Sequence, residues 1–356
     1  MGGGGERSAG CRWPRWLLCL HCRSLTSHFD VEQEPLLETD LDRIIAAFTA
    51  GDRRAASRLI SVVENGGAEA EAVLEALYPA LNGAPRLGVT GPPGVGKSTL
   101  VDALVRGERR AGRRVGVVAV DPTSPFTGGA VLGDRVRMGD LTLDPGVFIR
   151  SMATRGRLGG LARATKEVAD VLEAFGHDVL VIETVGVGQT EMDIATAADT
   201  IVVVLSPESG DAIQAMKAGL MEVADILVVN KADRPGADQL VRTLEADLAM
   251  RPAAVWRPPV LATIASQGEG IADLAAAVGR HHQSLQRSGD LATRRLERAR
   301  GEIMAILRDR LWQRARGQLA ADVSAWSERV VAGRATPYAA ARALLAAFLE
   351  SVEDKA

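Results

Sequence analysis

The stretch "RLGVTGPPGVGKSTLVDAL", residues 86–104, constrains the fold of this chain more than any other part of it. A short apolar run is followed by the pattern G-x-x-x-x-G-K-[S/T] at residues 91–98, and a helical pattern comes next. Strand, glycine-rich loop and helix in that order are the context in which this pattern binds phosphate groups. Glycines let backbone N–H groups approach a phosphate closely, and the helix N-terminus adds partial positive charge. The sequence therefore predicts a phosphate-binding loop, the P-loop, after a buried strand.

The residues of this loop have separate predicted roles. We expect Lys97 to bridge the β- and γ-phosphates of a nucleotide and Ser98 to ligate Mg²⁺. The other residues predicted to line the nucleotide are Gly91, Pro92, Pro93, Gly94, Val95, Gly96 and Thr99.

Seven short apolar runs lie between residues 86 and 265, separated by helical or glycine-rich connections. Several of them, such as "TIVVVL" at 200–205, are continuously Val, Ile or Leu rather than alternating. Continuous runs are typical of strands that are covered on both faces, as in parallel sheets. The predicted fold class is therefore α/β, a P-loop NTPase with a mostly parallel sheet at residues 84–280.

Helical patterns flank this predicted domain. On the N-terminal side, residues 31–83 form a small helical module, in which Leu41, Ile44 and Phe48 share one helix face. On the C-terminal side, residues 281–356 form a helical arm. Its apolar positions follow one stripe, and a last helix begins at Thr336 and Pro337; the stripe consists of Leu296, Ile303, Leu307 and Leu311.

The composition favours an ordinary water-soluble protein. The formal net charge is −3 and 47% of the residues are apolar, so neither a nucleic-acid-binding face nor a membrane segment is expected. The three cysteines, Cys11, Cys19 and Cys22, all lie in residues 1–30, which we predict to be a disordered leader. The expected location is the cytoplasm, or the mitochondrial matrix if this arginine-containing leader is a transit peptide.

The sequence "VVNKAD" indicates which nucleotide is bound. Asn230, Lys231 and Asp233 fit N-K-x-D after a buried strand, and an aspartate there accepts the N1–H and N2–H of guanine, which adenine does not offer. Ser266 and Gln267 follow the last predicted strand, where a backbone N–H meets guanine O6. We therefore expect GTP and GDP as the ligands rather than ATP.

Three carboxylates are the candidates for binding Mg²⁺ and water. Asp121 and Glu183 end predicted strands, and Asp134 lies in a connection. The carboxyl ends of parallel strands form the ligand crevice of an open α/β sheet, so Asp121 and Glu183 should face the phosphates. Glycines follow Glu183, and we expect the N–H of Gly186 to contact the γ-phosphate.

These motifs together resemble a known family. "GPPGVGKSTL", "VDPTSPFTGGAVLGDRVRM", "IETVGVGQTE" and "GDAIQAMKAGLMEVADILVVNKAD" are similar to the methylmalonyl-CoA mutase-associated GTPases of the MeaB/ArgK type. The resemblance extends from about Leu41 almost to the C-terminus.

The resemblance implies a function as well as a fold. Such proteins hydrolyse GTP slowly, dimerise through a C-terminal helical arm and bind an adenosylcobalamin-dependent methylmalonyl-CoA mutase, whose cofactor loading they gate and which they protect or reactivate. By the same resemblance Lys97, Ser98, Asp121, Asp134 and Glu183 serve phosphate, Mg²⁺ and water. This chain has no B12-binding D-x-H-x-x-G pattern, so the cobalamin chemistry would belong to the partner.

Three alternatives stay open at this point. A metal-insertion GTPase would typically carry clustered Cys and His, and the body of this chain has no cysteine. A transport-linked ATPase or kinase is disfavoured by the N-K-A-D sequence. A nucleotide-binding scaffold without turnover is compatible with the sequence, because no arginine finger is assigned.

Overall fold

The computed structural model describes residues 38–121, 139–153, 160–184, 194–208, 219–252 and 255–353 of the chain. Within these ranges seven strands form one sheet in the order β3-β2-β4-β1-β5-β6-β7, and every neighbouring pair is parallel. The strands are β1 (Arg86–Thr90), β2 (Val115–Asp121), β3 (Val147–Ala153), β4 (Val179–Glu183), β5 (Thr200–Leu205), β6 (Ile226–Asn230) and β7 (Val260–Thr263). The predicted α/β class with a parallel sheet is confirmed.

Helices precede, connect and follow the strands. The helices of the described ranges are α1 (Glu38–Thr49), α2 (Arg53–Asn65), α3 (Ala68–Leu77), α4 (Lys97–Arg110), α5 (Gly160–Ala174), α6 (Leu220–Val223), α7 (Ala237–Met250), α8 (Ile271–Ser288), α9 (Asp290–Val331) and α10 (Pro337–Glu353). Short 3₁₀ turns lie at Tyr78–Ala80, Gly139–Leu143, Ile194–Thr196 and Ala265–Gln267.

The central strands are buried on both faces, as their continuous apolar sequences predict. All residues of β1, β5 and β6 are buried. In β5, Ile201 and Val203 belong to one apolar cluster, whereas Val202 and Val204 belong to a second cluster. This division follows from the two-residue period of a strand, which sends successive side chains to opposite faces. The sheet is therefore the middle layer between two layers of helices.

The N-terminal helices pack against α5 on one side of the sheet. Ile44, Phe48 and Leu59 share a core cluster with Leu172 of α5 and with Phe175, the residue directly after that helix. The predicted apolar face of the first helix is therefore buried here. The rings of Phe48 and Phe175 lie 5.0 Å apart, centroid to centroid. The apolar periodicity of residues 41–48 therefore predicted a real packing surface.

A buried glutamate holds the connection between these helices and β1. The Oε1 atom of Glu173 accepts hydrogen bonds from the backbone N–H groups of Asn82, Gly83 and Ala84, at 3.0, 2.6 and 3.2 Å. Its Oε2 atom accepts one from Arg86 at 2.9 Å. Burial without these donors would be costly for a carboxylate, so the contacts fix residues 82–84 at the start of the sheet.

The long helix α9 attaches to the sheet through ion pairs. Asp199 and Asp225 stand directly before β5 and β6, and both side chains are buried. Arg294 donates two hydrogen bonds of 2.8 Å to the two carboxylate oxygens of Asp225. Arg295 and Arg298 pair with Asp199 at 3.1 and 2.8 Å. These contacts lie at the end of the strands that is opposite to the P-loop.

Beyond Arg298, α9 continues along α5 and α3: Glu302 and Asp309 pair with Lys166 and Arg163 of α5, and Arg310 pairs with Glu71 of α3. None of the 42 residues of α9 is buried, and its last turns pack with α10. Thr336 caps α10 as predicted, since its Oγ1 accepts the N–H of Ala339 at 3.2 Å.

In the part of the chain that the structure describes, no helix is both long and apolar enough to cross a membrane.

We expect Asp199→Asn to lower the free energy of unfolding by about 3 kcal/mol at neutral pH, because removing one partner of a buried ion pair leaves the other charges uncompensated. Burial pushes the pKa of Asp199 upward, but the attraction of Arg298 and Arg295 outweighs burial, so the folded pKa is lowered. This stabilisation is therefore complete above the pKa of an unfolded aspartate, about 4. It is lost as the pH falls through the folded pKa.

Urea unfolding of the two proteins between about pH 7 and pH 3 tests this expectation, and the difference between them should shrink toward the acidic end. Asp238→Asn, at an exposed position in the first turn of α7, is the control and should change stability by less than about 0.5 kcal/mol. A difference between wild type and Asp199→Asn that stays constant with pH would contradict the assignment.

Candidate functional site

The P-loop connects β1 to α4 with a backbone that only glycine adopts easily. Gly91 has φ 140° and Gly96 has φ 95°. A Cβ atom on Gly91 would lie 2.1 Å from the carbonyl oxygen of Val204, and one on Gly96 would lie 2.4 Å from Nδ2 of Asn230. The glycines of the motif are therefore required by two neighbouring strands, β5 and β6, as well as by any approaching phosphate.

Lys97 lies at the first position of α4 and is buried. Its Nζ donates to the carbonyl oxygens of Gly91 and Pro92, at 2.7 and 2.9 Å, so the ammonium group is held over the loop that it belongs to. The helix N-terminus and the ammonium group place positive potential at the same point, which favours an anion there.

Ser98 and Glu183 meet beside the loop. The Oγ of Ser98 donates to Oε1 of Glu183 at 2.7 Å, although 85 residues separate them in sequence. Glu183 ends β4, as predicted, and Thr184 continues the chain with its Oγ1 donating to Oγ1 of Thr90 at 2.9 Å. The predicted neighbourhood of the serine and the strand-end acid is present in the structure.

A hydroxyl and a carboxylate are suitable donors for Mg²⁺, which prefers oxygen ligands and keeps several water molecules. Among the described residues, no group of three or more His, Cys, Asp or Glu side chains forms a metal site. Mg²⁺ in nucleotide sites needs no such group, because phosphate oxygens and water complete its coordination. The pair of Ser98 and Glu183 therefore fits this ion.

Asn230 links the P-loop to the loop after β7. Its Nδ2 donates to the carbonyl oxygen of Val95 at 2.8 Å. Its Oδ1 accepts from Oγ1 of Thr263 and from the N–H of Ala265, both at 3.1 Å. The side chain is buried, so the first residue of the N-K-x-D sequence acts in the structure as a bridge between two loops.

The other residues of N-K-x-D form a tight turn. The N–H of Arg234 donates to the carbonyl oxygen of Lys231 at 3.0 Å, and Lys231 has φ 58°. Asp233 lies inside this turn with a partly exposed side chain. The Nζ of Lys231 pairs with Oε2 of Glu208 at 2.9 Å, and this ion pair lowers the pKa of the Glu208 carboxyl.

Ser266 and Gln267 lie in the 3₁₀ turn Ala265–Gln267 that follows β7. Both residues are exposed, next to the loop that Asn230 holds. The P-loop, Glu183, the 231–234 turn and this 3₁₀ turn all follow the carboxyl ends of parallel strands, which is where open α/β sheets bind ligands.

For three predicted site residues the structure gives no side-chain position or no position at all. Asp121 is the last residue of β2, but the placement of its side chain is not described. Asp134 and Gly186 lie outside the described residues. Their roles stay predictions.

The structure also identifies contacts that sequence patterns missed. Thr263 and Thr90 hold Asn230 and Thr184, and Glu208 holds Lys231. No local motif signals these residues, because each contact joins the ends of strands that are adjacent in space and distant in sequence.

The fold and the site together define a P-loop nucleotide-binding protein with the guanine-type N-K-x-D sequence. Comparison with known families gives a specific assignment. The family model described as methylmalonyl-CoA mutase-associated GTPase MeaB matches residues 56–320. The chain belongs to this family. It is a P-loop GTPase, and it hydrolyses GTP.

Individual relatives agree with this assignment. A Pyrococcus horikoshii protein named as a GTPase is 49% identical over 271 residues, which are 75% of this chain and 86% of that protein. The mouse mitochondrial methylmalonic aciduria type A homolog is 32% identical over 332 residues, and the alignment covers 86% of this chain and 79% of the mouse protein. A solved structure of a LAO/AO transport system kinase superposes with a TM-score of 0.67 at 27% identity, covering 89% of this chain and all of that chain.

We expect Gly96→Ala to reduce GTP and GDP affinity at least about tenfold, because left-handed backbone costs a residue with a Cβ about 1–2 kcal/mol and the added methyl displaces Asn230. Titration with a fluorescent guanine nucleotide measures this loss. Gly107→Ala is the matched control: it lies in α4 with nothing within 4 Å of an added Cβ. This control should bind nucleotide normally, and equal affinity of the two variants would contradict the assigned loop geometry.

Proposed function

We propose that this GTPase is a chaperone of an adenosylcobalamin-dependent acyl-CoA mutase, with methylmalonyl-CoA mutase as the first candidate client. In this proposal it gates loading of the cofactor and protects or reactivates the mutase. The observation that carries the proposal is the match to the mutase-associated family over residues 56–320, which include the P-loop, Glu183 and the 231–234 turn. The name of the mouse relative refers to methylmalonic aciduria, which fits a role beside a methylmalonyl-CoA enzyme.

The phosphate end of the site supports GTP binding and hydrolysis. When triphosphate binds, Lys97 exchanges its bonds to the Gly91 and Pro92 carbonyl groups for charge-assisted bonds to β- and γ-phosphate oxygens. Ser98 would ligate Mg²⁺, and Glu183, through its 2.7 Å contact with Ser98, would orient that hydroxyl and a Mg²⁺-bound water. Bound Mg²⁺ supplies charge neutralisation for the developing transition state.

Three further residues complete the phosphate end in this proposal. Asp121 and Asp134 would serve Mg²⁺ and its water molecules, and the N–H of Gly186 would contact the γ-phosphate. A segment that contacts the γ-phosphate loses this contact on hydrolysis, which is a general way for a GTPase to report its nucleotide state to a partner.

The base end supports selection of guanine. Asp233 would accept the N1–H and N2–H of guanine, and the stem of Lys231 would lie along the base. A backbone N–H near Ser266 or Gln267 would meet guanine O6. Asn230 holds the loops on both sides of this pocket, so base and phosphate sites have a fixed spacing.

The decisive test is GTP hydrolysis by the purified protein, alone and with methylmalonyl-CoA mutase. We expect the mutase to stimulate turnover, and we expect Lys97→Ala to abolish turnover in both conditions because the phosphates lose their buried cation. Arg110→Ala, at the exposed end of α4, controls for loss of a positive charge and should behave like wild type. Turnover that the mutase leaves unchanged would contradict this client and leave the GTPase intact.

A second candidate function rests on one comparison. The structure described as a LAO/AO transport system kinase aligns with this chain over its whole length. A kinase would transfer a phosphoryl group from a nucleoside triphosphate to an acceptor. Radiolabel transfer from ATP to a protein acceptor would support it, whereas hydrolysis restricted to GTP would support the chaperone.

We also propose that the chain forms a homodimer through α9 and α10. Leu296, Ile303, Leu307 and Leu311 lie on one stripe of α9, and each has roughly half or more of its surface exposed. Such a row of large apolar side chains on one helix face is typical of a protein–protein interface. A closed two-fold pairing of α9 with its copy would bury this stripe.

We expect Leu307→Glu to convert the proposed dimer into a monomer, because a charge would be buried against an apolar stripe. Light scattering coupled to size exclusion measures the mass. Gln313→Glu introduces the same charge at an exposed position on another face of α9 and should leave the dimer intact. A wild-type protein that is monomeric at micromolar concentration would overturn the proposal.

A further inference from the structure

Glu208 makes contacts that no sequence motif assigns. It lies in the loop after β5, three residues past the end of that strand. Its Oε2 accepts from Nζ of Lys231 at 2.9 Å, and its Oε1 lies 3.5 Å from Nε of Arg234. One carboxylate therefore contacts two cations of the neighbouring loop.

The two cations are the ends of a single turn. Arg234 N–H donates to the carbonyl oxygen of Lys231 at 3.0 Å, which closes the turn over Ala232 and Asp233. Ala232 is itself held by Thr263, whose carbonyl oxygen accepts its N–H at 3.0 Å. Glu208 thus contacts both ends of the turn that contains Asp233.

Strand adjacency explains how this contact forms. Strands β5 and β6 are parallel neighbours with Leu205 opposite Val229. The loops that follow them therefore leave the sheet side by side, and Glu208 faces residues 231–234 from the next loop. The sequence separation of 23 residues hides this relation from any local pattern.

The charges around Asp233 give Glu208 a second effect. Nε of Arg234 lies 3.6 Å from Oδ2 of Asp233, about as close as it lies to Glu208. Glu208 therefore competes with Asp233 for this cation. Without Glu208, the guanidinium group would pair with Asp233 alone and compete with the N–H groups of guanine for the same carboxylate.

We propose that Glu208 is a positioning residue of the guanine pocket: it holds Lys231 and Arg234, so that the Asp233 carboxylate stays oriented and available for the base. The inference rests on the proposed guanine-binding role of Asp233. It predicts a residue that sets purine discrimination and nucleotide affinity without taking part in phosphate chemistry.

The test compares Glu208→Gln with wild type for GDP and inosine diphosphate, which lacks the 2-amino group that Asp233 would bind. We expect GDP affinity to fall about two- to fivefold, the range of an exposed ion pair. Inosine diphosphate affinity should fall less, so the preference for GDP decreases. In steady-state hydrolysis KM for GTP should rise by the same factor while kcat stays unchanged.

Two variants and one condition separate positioning from a general structural effect. Glu208→Asp keeps the charge and should recover part of the GDP affinity. Glu245→Gln, at an exposed position of α7, is the same substitution away from Lys231 and Arg234, and this variant should bind nucleotide like wild type. Because ion pairs are screened by salt, the difference between wild type and Glu208→Gln should decrease at about 1 M salt.

Asp233→Asn distinguishes failure of the inference from failure of the guanine site. If Asp233→Asn reduces the preference for GDP and Glu208→Gln does not, the positioning role is wrong and the guanine site stands. If Asp233→Asn leaves the preference unchanged, the guanine site itself is wrong, and the inference fails with it. A Glu208→Gln variant that loses kcat at unchanged KM would also overturn the positioning role.

Discussion

The side chain of Asn230 is the contact on which the geometry of the site depends. One amide group bonds the P-loop at Val95, the loop after β7 at Ala265 and the hydroxyl of Thr263. These partners come from two segments that are distant in sequence, the P-loop and the end of β7 with the turn after it, and each partner atom would be buried without a hydrogen bond if the amide were lost. A buried polar network that is fully bonded favours one arrangement of its loops, because any other arrangement leaves donors or acceptors unpaired. In the proposed site, Asn230 therefore links the phosphate end to the base end.

The carboxyl ends and the amino ends of the parallel strands make different contacts. At the carboxyl ends, Lys97, Ser98, Glu183 and the 231–234 turn form the proposed nucleotide site. At the amino ends, the buried side chains of Asp199 and Asp225 form ion pairs with arginines of α9. Strands β5 and β6 connect the two ends directly, since each has an aspartate before it and a loop of the site after it. The helical arm is thus anchored on β5 and β6, and the turn proposed to bind the base follows β6.

Much of the candidate site could be predicted from the sequence, because the backbone conformation of the P-loop is a property of one short segment. The backbone of Gly91 and Gly96 and the position of Lys97 at the start of α4 belong to this segment. Strand-end acids were also predictable, since continuous Val, Ile and Leu runs define where each strand stops; Glu183 is an example. Family membership followed from the same motifs taken together. That Ser98 and Glu183 lie near each other was expected because the carboxyl ends of parallel strands meet at one edge of the sheet, whereas their hydrogen bond depends on β4 being the neighbour of β1.

The sequence by itself determined the α/β class, the seven strands and the residue types of the nucleotide site, because hydrophobic periodicity and glycine conformation are local properties. The tertiary structure decided the strand order, the bridge made by Asn230, and the pairing of α9 arginines with Asp199 and Asp225. It also decided the place of Glu208, an exposed acid whose sequence neighbours give no reason to single it out. These features depend on which strands become neighbours, and this order results from packing the whole core rather than from any one segment.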